Sequence, residues 1–153
     1  MNLTPHFSYD EMTRTSTGKP NAPSVAELAR LRAVCSAVLE PWRERVGAMK
    51  VNSGFRSMAV NDAVGGSVKS QHVKGEAADV VPLKASRLAA WQTLVRMMDE
   101  GLPVDQAIIY EGTNHIHVSH TADRTARRQK LVSTGGRYVT WDGYLASNPN
   151  PKL

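Results

Sequence analysis

Tyr110-Glu111-Gly112-Thr113-Asn114-His115-Ile116-His117-Val118-Ser119 is the stretch on which the fold turns. On an extended strand, residues two apart point to the same face. His115 and His117 therefore look into one cleft, while Ile116 and Val118 point the other way, into a core. Just upstream, Gln106 to Tyr110 is a second strand pattern, joined to the first by a short turn containing Gly112. A sheet with one apolar face and one face carrying imidazoles follows.

The nearest companion motif is Ser70-Gln71-His72-Val73-Lys74-Gly75-Glu76-Ala77-Ala78-Asp79. Together the two segments offer two imidazoles and a carboxylate as metal ligands, with a carboxylate and an imidazole to spare. On one straight helix, His72 and Asp79 would stand about 10 Å apart. That is awkward for sharing an ion whose bonds are about 2 Å. Gly75 lets the chain turn between them. His72 is expected in a loop or at the end of a short helix, and Asp79 at the start of a strand. Ala77 and Ala78 are small enough for the backbone to pass close by. Cys35 is the only cysteine, so a multi-cysteine zinc site is excluded and a metal must lean on His, Asp or Glu.

Three protein ligands leave a fourth position for water, as in catalytic zinc sites. A carboxylate that does not ligate the ion can then take the water proton and pass it to the leaving amine. Glu111, just before the strand carrying His117, is the candidate base. His115 is then free to stabilise the oxyanion or to orient Glu111.

Elsewhere, Ser8 to Glu11 and Ser24 to Glu27 read as capping boxes that open helices. The second helix places Leu28, Leu31, Cys35, Val38 and Trp42 on one stripe and ends near Gly47. Met49 to Ser53 reads as a strand, Ala59 to Ala63 as a helical turn, and Ala77 to Val81 as a buried strand. Ser86 caps a helix that closes at Gly101. Lys130 to Ser133 and Arg137 to Trp141 flank Gly135-Gly136 as a hairpin. Helices first and between strands, with close strands forming hairpins, predict an α+β fold: a small antiparallel sheet with helices packed on one face. Residues 1–147 form one expected domain, and 148–153 a flexible tail.

The chain has 153 residues, 41% apolar and 22% charged, with a formal charge of +5. That balance suits one globular domain and an anionic partner. Arg124, Arg127, Arg128 and Lys130 form the densest basic patch, but without interleaved aromatics, so no nucleic acid is expected. No apolar run is long enough to span a membrane, and Met1 to Arg14 contains no apolar signal core. Cys35 reads as a small buried residue. His6 and His120 read as structural or exposed.

The pattern Ser70-x-His72-x-x-Gly75-x-Ala77-x-Asp79, followed by His115-x-His117, resembles the zinc D-Ala-D-Ala carboxypeptidase family, and most closely its short phage and prophage members. Pro5-His6-Phe7, Ser53-Gly54-Phe55-Arg56-Ser57, Asn61 and Ala63-Val64-Gly65-Gly66-Ser67 extend the resemblance over most of the chain. It implies one zinc ion per chain, held by His72, Asp79 and His117. It also implies substrate binding by Arg56 and Ser70, and hydrolysis of amide bonds in peptidoglycan stem peptides. The second motif also resembles the hedgehog signalling domain, which shares this zinc fold. There a glutamate and the first histidine flank the metal, as Glu111 and His115 are expected to do. Many family enzymes carry an acid three residues before the last ligand; here that residue is Asn114. Either Glu111 supplies the base, or the chain is weakened or inactive as a peptidase.

The expected protein is thus a monomeric zinc carboxypeptidase or endopeptidase, including an endolysin role. It would be made in the cytoplasm and reach the wall on release or in a virion. A catalytically silent zinc-stabilised module that binds wall or protein is the alternative. A third reading takes His115-Ile116-His117 as the strand of a rolling-circle nuclease, with Tyr138 or Tyr144 as nucleophile. It leaves His72 and Asp79 unexplained.

Overall fold

A computed structural model describes residues 1–153. The chain opens with a small hairpin, Asn2–Thr4 (β1) and Phe7–Ser8 (β2), and a short helix, Tyr9–Thr13 (α1). The expected capping boxes at Ser8 and Ser24 are both formed. The second begins a helical run made of Val25–Val34 (α2), a wider turn over Cys35–Leu39, and Glu40–Val46 (α3). Pro41 explains the wide turn. In a regular helix its ring would clash with the carbonyl four residues back. The added residue per turn relieves this, and the Glu40 amide donates to the Cys35 carbonyl, five residues back. Cys35 is fully buried, and burial pushes its thiol up to about 12, so it packs as a small apolar group.

Met49–Ser53 (β3), Met58–Ala63 (α4), a tight turn over Gln71–Lys74 and Ala77–Pro82 (β4) follow. Then come Arg87–Asp99 (α5), Gln106–Tyr110 (β5), Ile116–Ser119 (β6), Gln129–Thr134 (β7), Arg137–Thr140 (β8) and Trp141–Ser147 (α6). The main sheet has six strands in the order β3-β4-β6-β5-β7-β8.

One row of register partners crosses this whole sheet: Val51, Val80, Ile116, Ile109, Val132 and Val139. These side chains join the core shared with α2, α3 and α5. The Trp42 indole on α3 donates to the Ala90 carbonyl on α5 (3.0 Å), and Trp91 packs edge-on against Trp141 (5.7 Å between centroids). Each fully buried large side chain here contributes about 1.5–3 kcal/mol. The adjacent row, Asp79, His117, Ile108 and Leu131, points to the opposite face by the period of two. Helices thus take one face and leave the other for the site.

The expected all-antiparallel sheet needs correction at one pair, because β5 and β7 run parallel. β6 already occupies one edge of β5, so β7 must take the other. The chain leaves β6 near the start of β5 and crosses over through residues 120–128. It enters β7 where Gln129 faces Gln106. Trp141, expected in the last strand, instead starts α6, whose first turn is capped by the Thr140 hydroxyl accepting from the Gly143 amide.

Asp105 fastens that crossover. It is fully buried, and its carboxylate accepts from the guanidinium groups of Arg124 and Arg127, the Arg127 amide and Gln71. Two members of the expected basic patch are therefore bound internally. Burial alone would raise the Asp105 carboxyl, but the Arg124 and Arg127 hydrogen bonds outweigh it and hold it well below the usual range. A depressed folded value gives stability that is present above the ordinary carboxylate range and lost as pH falls. Asp105→Asn is expected to cost about 2 kcal/mol, because the half-exposed arginines can rehydrate. Parallel thermal melts check this. The gap to the parent should hold above about pH 5 and narrow steadily as pH falls below about 4 toward the depressed folded value.

Candidate metal centre

The Ser70 hydroxyl accepts from the His72 amide (3.3 Å) and caps the tight turn that carries His72. Gly75 ends that turn at φ +77°, with an added Cβ only 2.5 Å from the Glu27 carbonyl oxygen. The chain reverses there into β4, where Asp79 is the register partner of His117 on β6. The turn expected between His72 and Asp79 is thus present, and it brings the two residues together with His117.

His117 Nδ1 lies 2.9 Å, and His72 Nε2 3.3 Å, from the same oxygen, Asp79 Oδ1. All three atoms fall within 4.8 Å of one another. Bonds of about 2.0–2.1 Å at tetrahedral angles hold donors about 3.3 Å apart, so this spacing fits one ion. The protonation pattern agrees. His72 Nδ1 lies 2.7 Å from the Gly54 carbonyl, which can only accept, so Nδ1 is the donor there and Nε2 is the nitrogen turned toward Asp79. Burial pushes His117 below its ordinary value, against the pull of Asp79, and favours its neutral form. Burial would raise the Asp79 carboxyl, but His72 and His117 outweigh it and keep it ionised well below the usual range. Two imidazole nitrogens and a carboxylate oxygen converging on one point suit a divalent cation once the nitrogens have given up their protons.

The groups around this cluster aim it. Arg56 donates through Nη2 to Asp79 Oδ2 (3.2 Å) and through Nε to the Ser53 hydroxyl (2.9 Å). The carboxylate is thereby turned so that Oδ1 faces the imidazoles. Arg56 lines the cleft but spends part of its fork on Asp79. Gly54 lets β3 run against α1: a Cβ there would sit 2.3 Å from the Met12 carbonyl oxygen. Gly54→Ala is therefore expected to shift the carbonyl that orients His72. Loss of such an outer contact weakens metal binding by about 10–100-fold. A zinc titration against a competing chelator checks it.

The three side chains open into a cleft of about 380 Å³, also bordered by Arg56, Ser70 and Tyr110. Tyr110 escaped the sequence reading. Burial raises its phenol well above the ordinary value, with Asp79 and Tyr138 adding to the shift, so it stays a hydrogen-bond donor. Its ring packs on His115 at 4.7 Å between centroids. His115 is half-buried and held below its ordinary value, chiefly by burial.

Glu111 is not brought to the cleft. Along β5, Ile108 and Tyr110 face the cleft, so the following residue falls on the other side. There Glu111 is exposed and borders a depression with Arg87 and Tyr144. Asn114 is exposed in the same turn. Arg87 ties this turn down by donating to the Tyr110 carbonyl (2.5 Å) and the Thr113 hydroxyl (3.2 Å).

Comparison with known proteins agrees with this geometry. Residues 5–119 match the family model described as Peptidase M15, a span that contains His72, Asp79 and His117. Over 78 residues the chain is 35% identical to a zinc D-Ala-D-Ala carboxypeptidase from Streptomyces albus G. The aligned stretch is 49% of this chain and 31% of that enzyme, so the chain spans under a third of the relative's length.

Proposed function

The chain belongs to the M15 peptidase family, and on that premise we propose that it is a zinc-dependent peptidase cleaving amide bonds in peptidoglycan stem peptides. The bond is one next to a D-amino acid, cut in carboxypeptidase or endopeptidase fashion, with one zinc per monomeric chain. The observation that carries this reading is the convergence of His72, Asp79 and His117 on one point at a cleft.

Zinc held by these three residues would supply an activated water near neutral pH and polarise the scissile carbonyl. The chain's own groups do the rest. Arg56 keeps Asp79 aimed and presents the remainder of its fork to a carboxylate or peptide carbonyl. Ser70 fixes the His72 turn at the cleft wall, within reach of a bound peptide. The Tyr110 hydroxyl and the His115 imidazole are neutral groups at the rim, suited to hydrogen-bond the developing oxyanion. Glu111 is the proposed proton acceptor, carried to the cleft side by a rearrangement of its turn when substrate binds; catalytic hydrogen bonds often form only in that complex. The positive charge of the chain favours approach to an anionic wall, as an endolysin would need.

Incubation of the zinc-loaded protein with purified muropeptides, followed by mass spectrometry, tests this. The expected result is loss of a terminal alanine or scission of a cross-link. Unchanged masses across all stem-peptide types would remove the hydrolase assignment. The position of Glu111 favours one second reading, a zinc-stabilised binding module without turnover. Stoichiometric zinc and retention on purified wall, with no cleavage, would identify it.

A further inference from the structure

Beside the metal cleft lies a second cavity, of about 510 Å³, which shares Lys69, Gln71 and Arg127 with it. None of its lining side chains is apolar. Five are cationic, Arg30, Lys69, Lys74, Arg124 and Arg127, against two acids, Glu76 and Asp123. Arg124 and Arg127 are committed to Asp105. Lys69 and Lys74 make no ion pair, and Arg30 reaches only the Lys74 carbonyl, at 3.3 Å. The basin thus holds more positive charge than the protein neutralises.

We propose that this basin is an anion subsite that takes a carboxylate of the peptide whose amide lies at the metal. The proposal rests on the peptidase reading and adds a preference for acidic peptides to it. Continuity carries the assignment. Three residues border both cavities, so the two adjoin and one peptide can reach from the cleft into the basin. A carboxylate fits the lining because lysine ammonium and arginine guanidinium both bind it through charge-assisted hydrogen bonds. Lys74 follows His72 in the same turn, and Arg30 on α2 braces that turn through the Lys74 carbonyl. Together they place the charge at a fixed offset from the metal ligands, which selects where along the peptide the carboxylate must lie.

The test uses synthetic stem peptides in which each carboxylate in turn is free or amidated. Parent and Arg30→Gln/Lys74→Gln proteins are compared, since neither residue borders the metal cleft. The parent is expected to show a KM about tenfold lower for one free-acid peptide than for its amide, with kcat unchanged. The double variant should lose that difference, the acid and the amide sharing one KM, and a zinc titration shows whether the His72 turn still holds the metal. Calorimetric binding of the same peptide pair reads the preference without any cleavage. A preference in binding without turnover would keep the subsite and remove the peptidase reading. Equal affinity for acid and amide in the parent, or a preference that survives in the double variant, would overturn the subsite. Salt-sensitive retention of the parent on a phosphate-bearing wall polymer, with no acid-over-amide preference, would reassign the basin to that polymer and equally overturn it.

Discussion

Asp79→Asn is expected to leave a folded chain that no longer retains zinc and no longer cleaves peptide. The residue sits at the centre of the cluster. One oxygen faces both imidazoles and the other takes the Arg56 guanidinium. Structural zinc sites bind with about 10–16 kcal/mol spread over their ligands, so one ligand is worth about 3–5 kcal/mol. That is about 10²–10⁴ in affinity. An amide keeps the shape of the side chain but gives up the negative charge that two neutral imidazoles do not supply. The melting curve offers a readout independent of activity. Zinc at a thousandfold excess over its dissociation constant stabilises the parent by about 4 kcal/mol, and the variant should show no such rise. Metal analysis after dialysis checks stoichiometry. One zinc per chain in the variant, with parental activity, would remove Asp79 from the ligand set.

The parts of this centre that obey local rules were legible in the sequence. The alternation through His115, Ile116, His117 and Val118 is a property of one strand, and it placed His117 on the face away from Ile116. Gly75 between His72 and Asp79 announced a reversal, and the chain reverses there at φ +77°. What stayed hidden depends on partners distant in sequence. The parallel pairing of β5 and β7 follows from which edge of β5 is free, and no residue in either strand encodes it. Asp105 reads as one acid in a turn, and Arg124 and Arg127 as a surface patch, until the crossover brings them together. The side of the sheet taken by Tyr110 and Glu111 is set by the register of β5 against β6, in which Ile108 faces His117. Alternation says only that the two differ. Read without register, Glu111 counts as a cleft residue and Tyr110 has no role; with it, Tyr110 lines the cleft and Glu111 falls outside it.

That exchange gives Glu111→Gln its weight. The expected result is unchanged zinc content with turnover lower by about 10²–10⁴, the usual contribution of a positioned general base. Glutamine matches glutamate in size and cannot accept the proton. Glu111 is exposed, so a general loss of stability is a poor rival explanation. The geometry sets a condition on this outcome. With Arg87 holding Tyr110 and Thr113, the turn is fixed at two points, and the carboxylate reaches the cleft only if the backbone of that turn rearranges. Arg87→Ala should therefore change kcat together with KM, by freeing the turn, while leaving zinc bound. Asn114 supplies the cross-check, because it is exposed in the same turn as Glu111 and just before the strand of His117. If proton transfer at this rim needs only a carboxylate, Glu111→Gln/Asn114→Asp recovers part of the lost turnover. Parental activity in Glu111→Gln alone would take the proton from Glu111 and assign it to His115, whose ring already packs on Tyr110 at the cleft wall.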